Sequence, residues 1–307
     1  MPLMRVLKPG FLTTVQDLGR FGYSHLGIST SGAADPVSLR IGNRLLGNDP
    51  SAPVLEMTLV GGEFLFEESA LVAVTGSDFK PMINGTAVPL WNSISVRSGQ
   101  ALRFGAAADG ARCYLCVNGG FKVDKVLGSA STHLVTGLGG FQGRPLRQGD
   151  ALSSDAWEGA PAPCPRFPAD IAAELMKRRY LRVTEAPQTH RFPEETLRLF
   201  STSPYQVNEE ANRMGLRLKG TPLPRLSTED MITEGVPLGA IQISPDGMPI
   251  ILFVEHQTTG GYPKIANVIS ADLHRIGQLR PRDTVRFVFV SVNDAHRFGL
   301  AQERLIP

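Results

Sequence analysis

The densest group of polar and conformationally free residues follows an apolar run late in the chain. Residues 257–264, Gln-Thr-Thr-Gly-Gly-Tyr-Pro-Lys, come shortly after the strand-like residues 249–254. Paired glycines can turn backbone amides toward an oxyanion because no Cβ blocks the approach. Together with hydroxyl, amide and ammonium groups, such amides can hold a developing negative charge without a metal. We predict that the catalytic residues here are Gln257, Thr258, Thr259 and Lys264, and that Gly260, Gly261 and Tyr262 bind substrate.

A second group of candidates lies near the N-terminus, and a third near the middle of the chain. Gln16 can hold a neutral amide through one donor and one acceptor, and Asp17 can act as a general base or orient Arg20. Arg20 and Arg144 can bind phosphate or carboxylate. We predict that Asp17 is catalytic, that the other three bind substrate, and that residues 13–20 share a cleft with residues 257–264.

Most of these residues also have a purely structural explanation. Asp17 and Arg20 can form an ordinary surface ion pair, and Tyr262 can pack in a core. Asp35 is better explained as a helix cap than as an acid. The remaining glycine pairs are best explained as turns between strands, namely Gly119, Gly120, Gly139 and Gly140.

Several familiar sites are excluded by the sequence. There is no phosphate-binding Gly-Lys motif and no complete dinucleotide fingerprint, and the six histidines lack metal-ligand spacing, so we predict no metal. Cys113 and Cys116 form a C-x-x-C within a strand-like run. Residues three apart on a strand face opposite sides, so this pair is predicted to pack in the core.

Bulk composition limits the partners and the location. Lys plus Arg total 31 and Asp plus Glu total 29, a net charge of +2 without a block of like charge, so nucleic acid is not expected. The chain has no run of about 18 apolar residues, so no membrane span is expected. It has no signal-peptide pattern, so secretion is not expected. Three cysteines do not suggest a disulfide framework, so a cytoplasmic protein is expected.

Short apolar runs bounded by glycine, proline, asparagine or aspartate predict a mainly β fold with few helices. Strands are predicted at residues 70–75, 93–96, 101–104, 113–117, 249–254 and 284–292. Helices are predicted from Asp35 with Pro36 at the first position, and at residues 170–180, 193–200, from 270, and 293–305.

A proline-rich stretch at residues 156–168 is predicted to be a linker between domains at 1–155 and 169–307. Both halves carry an apolar run, then Gly-Gly-aromatic, and later an Arg-x-x-Asp turn before another apolar run. These turns lie at residues 147–150 and 280–283. The pattern is consistent with duplication of one β-barrel unit.

Two motifs occur together in one family: Thr-Thr-Val-Gln-Asp-Leu-Gly-Arg at 13–20 and Gln-Thr-Thr-Gly-Gly-Tyr-Pro at 257–263. The likeness continues through residues 56–58, 212–218 and 239–242 and covers about residues 5–290. On these motifs the chain resembles the family of 5-oxoprolinase C subunits, also labelled allophanate hydrolase subunit 2 or biotin-dependent carboxyltransferase. That family is related to the carboxyltransferase domain of urea carboxylase.

The resemblance implies two cyclophilin-like β-barrel domains, and as partners a sister B subunit and a hydrolase that forms the A subunit. It favours the C subunit of an ATP-dependent 5-oxoprolinase, which opens 5-oxoproline to glutamate. ATP would phosphorylate the lactam oxygen, and it binds either this chain or the sister chain.

Two other functions are consistent with the family. One is carboxyl transfer from carboxybiotin to urea or a related amide. The other is a regulatory protein that antagonises a sensor-kinase inhibitor. Met176-Lys177 is the nearest approach to a biotinylation motif and lies in a predicted helix, so no covalently attached biotin is expected. Glu255-His256 stands where carboxyltransferase relatives often have Asp-Arg, and residues 185–188 replace a more usual Gly-Pro-Gln turn, which weakens the carboxyl-transfer interpretation.

Overall fold

Contacts between Cα atoms divide the chain into two units. The computed structural model describes residues 2–154, 166–226 and 231–306. The first unit comprises the described residues up to Arg20, from Ser31 to Met176, and Ile306. The second comprises Phe21–Thr30 and the described residues of Lys177–Leu305.

The first unit contains two antiparallel sheets in its described part. One has the order β11-β1-β4-β9-β6-β7 and the other β2-β3-β10-β5-β8. Buried side chains from both sheets, including Val6, Phe64, Val72 and Leu115, form one core cluster. The strands are β1 (Met4–Lys8), β2 (Leu12–Gln16), β3 (Val54–Thr58), β4 (Glu63–Phe66), β5 (Ala70–Gly76), β6 (Met82–Ile83), β7 (Thr86–Ala87), β8 (Ser93–Val96), β9 (Ala101–Arg103), β10 (Arg112–Val117) and β11 (Ala151–Leu152).

Strand β10 confirms the predicted alternation of the two cysteines. Cys113 belongs to the core cluster shared by the two sheets, whereas Cys116 belongs to the cluster beneath the first helix. Burial raises the pKa of both thiols. The pair therefore packs on opposite faces of one strand.

Helix α1 (Pro36–Leu45) begins where the sequence predicts. The Asp35 side chain accepts hydrogen bonds from the Ser38 backbone N–H at 2.9 Å and from its hydroxyl at 2.6 Å, which confirms the predicted cap. Helix α2 (Ala169–Leu175) is shorter than predicted. Its end at Leu175 places Lys177 beyond the helix, so the helical argument about the biotinylation motif was wrong.

The second unit is built on a closed seven-stranded barrel of order β12-β19-β16-β17-β14-β13-β20, accompanied by a two-stranded ribbon, β15-β18. Its strands are β12 (Tyr180–Glu185), β13 (Tyr205–Val207), β14 (Gly215–Lys219), β15 (Glu234–Gly235), β16 (Ala240–Ile243), β17 (Pro249–Leu252), β18 (Thr259–Gly260), β19 (Lys264–Val268) and β20 (Thr284–Phe289). Its helices are α3 (Glu194–Thr202), α4 (Leu273–Gly277) and α5 (Val292–Leu305), with 3-10 turns at Ser24–Leu26, Thr189–Arg191 and Ser270–Asp272.

The predicted mainly β class with short helices is confirmed. The closed barrel belongs to the second unit, whereas the strands of the first lie in two sheets. The strand predicted at residues 284–292 ends earlier, at Phe289, because α5 begins at Val292.

The division between the units differs from the predicted domain boundary. Residues 156–165 of the predicted linker lie outside the described residues, and the observed division falls after Met176. The reason is packing: Ala172 and Leu175 of α2 join the core cluster that contains Trp91 and Phe167. That the two units are separate domains joined by a linker at 156–168 stays a prediction.

The two Arg-x-x-Asp turns have closely similar geometry. Asp150 accepts from the Arg147 backbone N–H at 2.7 Å, and Asp283 accepts from the Arg280 backbone N–H at 3.0 Å. Each aspartate also binds a second arginine, Arg144 in the first turn and Arg178 in the other. This likeness supports the proposed repeat. Among the described residues, no helix has the length and apolar character needed to cross a membrane.

Candidate functional site

The predicted catalytic loop contributes one strand of the ribbon in the second unit. Strand β18 pairs with β15, so that Glu234 lies opposite Gly260 and Gly235 opposite Thr259. The Val236 backbone N–H also donates to the Thr258 carbonyl at 3.1 Å. Backbone contacts with residues 234–236 thereby hold the loop at residues 258–260.

A buried glutamine from the barrel wall anchors the loop from below. Gln242 on β16 is 1% exposed and donates through Nε2 to the Tyr262 carbonyl at 3.1 Å. Its Oε1 accepts from Gln257 Nε2 at 3.3 Å. A Cβ added to Gly260 would lie 2.7 Å from Gln242 Nε2, whereas a Cβ on Gly261 would meet only ordinary contacts. A methyl group at position 260 would therefore displace the Gln242 amide, and neither glycine has a positive φ.

Lys264 is buried and ion-paired. Its Nζ donates to Oε1 of Glu234, and its side chain is 3% exposed against 42% for Glu234. Gln188 Nε2 donates to the same Oε1 at 2.7 Å. These hydrogen bonds, chiefly the one from Lys264, hold the pKa of Glu234 below its ordinary value. The accessible charged atom of the pair is therefore on Glu234.

Two acceptor oxygens in this cluster lack a hydrogen-bond partner within the part of the chain that the structure describes. One is Oε2 of Glu234, since both donors converge on Oε1. The other is the buried Oε1 of Gln188. An amide flip of Gln188 would set its oxygen against the Glu234 carboxylate, so the orientation of its amide follows from the pairing.

The residues before the loop are buried as well. Glu255 forms an ion pair with Arg213 at 2.5 Å, and both side chains are at most 5% exposed. His256 Nδ1 lies 2.6 Å from the Gln257 carbonyl oxygen, and burial lowers the pKa of its imidazole. Position 256 therefore carries a neutral ring at neutral pH.

The accessible groups of the loop form a mixed polar and aromatic surface. Gln257, Thr259 and Tyr262 are exposed, and Thr258 is half-buried. Tyr262 is 42% exposed, which makes the alternative of core packing wrong. With the Glu234 carboxylate and the backbone amides, these groups can bind a ligand that carries both a carbonyl oxygen and an N–H.

Asp17 lies at the centre of a buried hydrogen-bond network in the first unit. Its Oδ1 accepts from Gly19 N–H at 2.7 Å and from the hydroxyls of Ser129 and Ser131 at 2.6 and 2.5 Å. Its Oδ2 accepts from Ala130 N–H at 2.7 Å. Asp17 is 6% exposed, so the alternative of a surface ion pair is wrong. Four protein donors therefore occupy the two oxygens of this carboxylate.

Gln16 and Arg20 bind the same segment as Asp17. Gln16 Nε2 donates to the Thr132 carbonyl at 3.1 Å, and Arg20 donates to the carbonyls of Ser131 and Val126. Both side chains are at most 1% exposed. The buried Oε1 of Gln16 has no hydrogen-bond partner among the described residues. The structure thus brings Gln16, Asp17 and Arg20 together around residues 126–132.

The Arg144 side chain is bound within the turn that contains Asp150. Its guanidinium binds both Asp150 oxygens, at 2.7 and 2.9 Å, and also the Pro145 carbonyl and Gln142. Asp150 raises the pKa of Arg144, and Arg144 lowers the pKa of Asp150. The geometry favours a structural role for this residue, and its contact with substrate stays a prediction.

Three residues of the second-unit cluster were missed by sequence reasoning. Glu234 lies on a two-residue strand without a local pattern. Gln242 was named only within the resembling segment 239–242, and Gln188 only within residues 185–188, which depart from the family pattern. Among the described residues, no group of three or more His, Cys, Asp or Glu side chains could hold a metal ion.

Comparisons with known proteins agree with this architecture. The family described as carboxyltransferase domain, subdomain A and B, matches residues 26–289. The 5-oxoprolinase C subunit of Escherichia coli is 36% identical over 307 residues, covering 98% of this chain and 96% of that protein. Its Haemophilus influenzae counterpart is 37% identical, covering 94% of this chain and 92% of that protein.

The crystal structure of the Kluyveromyces lactis urea amidolyase is similar with a TM-score of 0.93 at 31% identity. The match covers 99% of this chain but 20% of the amidolyase. The chain thus corresponds to about one fifth of that enzyme and to nearly the whole of the two C subunits. On the family match and these identities, the chain belongs to the carboxyltransferase domain family of subdomains A and B.

Proposed function

We propose that this chain is the C subunit of an ATP-dependent 5-oxoprolinase and acts with partner subunits on the lactam of 5-oxoproline. The observation that carries the proposal is the near end-to-end match to two proteins named as 5-oxoprolinase C subunits, at 36% and 37% identity. On this basis the chain is a component of an enzyme complex. A sister B subunit and a hydrolase that forms the A subunit are the proposed partners.

The loop at 257–264 supports an amide substrate. Exposed Gln257 and Thr259 and half-buried Thr258 offer groups that can hold a lactam carbonyl, and Gly260 brings the backbone close to Gln242. Negative charge develops on the lactam oxygen when the amide is attacked, and fixed donors stabilise it because they need no reorganisation. We assign this chain the tasks of binding the lactam and stabilising that charge.

The cationic side chains that the sequence suggests as phosphate ligands are already paired within the protein. Lys264 is paired with Glu234, Arg144 with Asp150, and Arg20 with backbone carbonyls. Binding a phosphate here would first require breaking these interactions. We therefore place the nucleotide on a partner subunit and route no phosphoryl step through this chain.

Reconstitution tests the proposal. The purified chain is mixed with its candidate partner subunits, 5-oxoproline and ATP, and glutamate is measured against the partners alone. We expect glutamate to form only when this chain is present. Equal glutamate formation without the chain would overturn the proposal.

Carboxyl transfer is the second candidate, and the TM-score of 0.93 to a urea amidolyase favours it. His256 weighs against it, because a buried neutral imidazole stands where the carboxyltransferase pattern often has an arginine. Measurable binding of free biotin to the purified chain would favour carboxyl transfer. Absence of such binding, together with glutamate formation, would favour the lactam.

A further inference from the structure

The Glu234 carboxylate lies beside the candidate loop, and the protein holds one of its two oxygens. Lys264 and Gln188 both donate to its Oε1, and both donor side chains are buried. Oε2 accepts no hydrogen bond within the described residues, and the side chain is 42% exposed. Oε1 is therefore committed to protein donors, and Oε2 is the oxygen left for a ligand. The positive charge of Arg191 also contributes to the low pKa of this carboxyl.

The register of the ribbon places Glu234 beside the candidate loop. Glu234 is opposite Gly260, and residues opposite each other in an antiparallel pair lie on the same face. Gly260 has no side chain, and the side chains nearest to the position of its missing Cβ are those of Gln242 and Val236. An ionised carboxylate is an acceptor only, and the low pKa of Glu234 keeps it ionised, so the matching ligand group is an N–H or O–H donor.

We propose that Glu234 Oε2 accepts a hydrogen bond from the ring N–H of the substrate and thereby selects a cyclic amide over a cyclic ester. This inference rests on the proposed function, since it names the group by which a lactam is recognised. Gln188 and Lys264 are positioning residues that hold Oε1. The ring N–H is the single group that separates 5-oxoproline from its lactone counterpart, in which the ring nitrogen is replaced by oxygen.

Glu234→Gln replaces the hydrogen-bond acceptor at the Oε2 position with a hydrogen-bond donor. The two donors would hold the amide oxygen of the new side chain in the place of Oε1, so its NH2 group would replace Oε2. An NH2 group repels a ligand N–H and favours a ring oxygen. The variant is therefore expected to lose the preference for the lactam and to gain affinity for the lactone.

The experiment measures the dissociation constants of 5-oxoproline and of 5-oxotetrahydrofuran-2-carboxylate by titration calorimetry. The full chain is used alone and assembled with its partners. We expect wild type to bind the lactam at least about tenfold more tightly, since hydrogen bonds to charged groups contribute about 1.5–3 kcal/mol. In Glu234→Gln this ratio should fall to about one or below. Glu209→Gln, which breaks an exposed ion pair with Arg282, is the matched control and should keep the wild-type ratio.

Thermal melting establishes whether each variant is folded. If loss of the buried ion pair unfolds Glu234→Gln, the double variant Glu234→Gln with Lys264→Met removes both charges. Gln188 then remains as the donor that holds the amide oxygen, and the lactam preference is expected to fall in the same direction. Absence of a lactam preference in wild type, or equal weakening of both ligands in the variant, would overturn the inference.

Glutamate formation by the wild-type complex separates this inference from the proposed function. If glutamate forms but the lactam preference survives Glu234→Gln, the inference fails and the function stands. If no glutamate forms but the Glu234-dependent preference is present, the function fails and the inference stands.

Discussion

At the scale of single residues, the two carboxylates near the candidate groups differ in what they can still do. Asp17 is 6% exposed and receives hydrogen bonds on both oxygens, whereas the Glu234 side chain is 42% exposed and its Oε2 accepts none among the described residues. A carboxylate whose acceptor sites are filled by protein donors stabilises a loop. One with an open oxygen can bind a ligand.

Asp17→Asn tests the structural role of the first carboxylate. The asparagine can keep its oxygen at the Oδ1 position, but its NH2 group would then face the Ala130 N–H. We expect the free energy of unfolding to fall by about 1–3 kcal/mol, because a buried hydrogen bond becomes a donor–donor contact. Urea denaturation measures this, with exposed Asp124→Asn as the control. Lost turnover at unchanged stability would instead indicate a catalytic Asp17.

His256 predicts how stability depends on pH. Burial lowers the pKa of the imidazole in the folded protein below its unfolded value of about 6.5. The neutral ring is therefore the folded form, so its contribution is complete above the unfolded pKa and is lost as pH falls from that value toward the folded pKa. We expect stability to fall between pH 7.5 and pH 5.5, and to fall less in His256→Asn.

Urea denaturation at the two pH values measures this difference. His296→Asn, on the exposed face of α5, should behave as wild type. An identical pH dependence in His256→Asn and wild type would show that other groups dominate the acid response.

At the scale of elements, the β15-β18 ribbon brings the loop and Glu234 into register. Strand β18 supplies Thr259 and Gly260, β15 supplies Glu234, and Gln242 from the barrel wall supports the loop. The ribbon has only two paired residues on each strand. Side-chain hydrogen bonds must therefore contribute much of its stability. One bulkier residue at Gly260, where the loop comes closest to the Gln242 amide, should disturb the whole loop.

Gly260→Ala and Gly261→Ala form a matched pair. The new methyl at position 260 would lie 2.7 Å from Gln242 Nε2 and displace the amide that holds Tyr262 and Gln257. We expect Gly260→Ala to weaken lactam binding at least about tenfold, consistent with losing one or two hydrogen bonds. Gly261→Ala should bind within about twofold of wild type, as titration calorimetry would show. Equal effects of the two substitutions would contradict this explanation of Gly260.

At the scale of the whole molecule, the chain matches nearly the full length of one group of relatives and a small part of a fused enzyme in another. Its candidate phosphate ligands are committed to protein acceptors. Both observations are consistent with a chain that supplies part of a reaction to a larger assembly.

Nucleotide binding should therefore require the assembly. We expect no calorimetric signal when ATP is titrated into the isolated chain, and a clear signal with the reconstituted complex. Tight ATP binding by the isolated chain, weakened by Lys264→Met but not by the exposed control Lys125→Met, would contradict the assignment of the nucleotide to a partner.

The sequence alone determined the class of the fold and most of the elements. Strand β8 has the predicted bounds, α1 begins after the predicted cap, and the cysteines alternate across β10 as expected. These features depend on neighbours within a few residues, where periodicity, capping and turn preferences act directly. The loop at 257–264 was also recognisable, because its glycines and hydroxyls are contiguous.

Only the tertiary structure decided which side chains complete the site. Gln188 reaches Glu234 across 46 positions of sequence, Lys264 reaches it across 30, and Asp17 meets Ser131 across 114. Such pairs leave no local pattern, because each partner is an ordinary polar residue in its own segment. Whether a charge is open to a ligand or neutralised by the protein depends on these distant contacts, and here they place the accessible charge on Glu234 instead of Lys264.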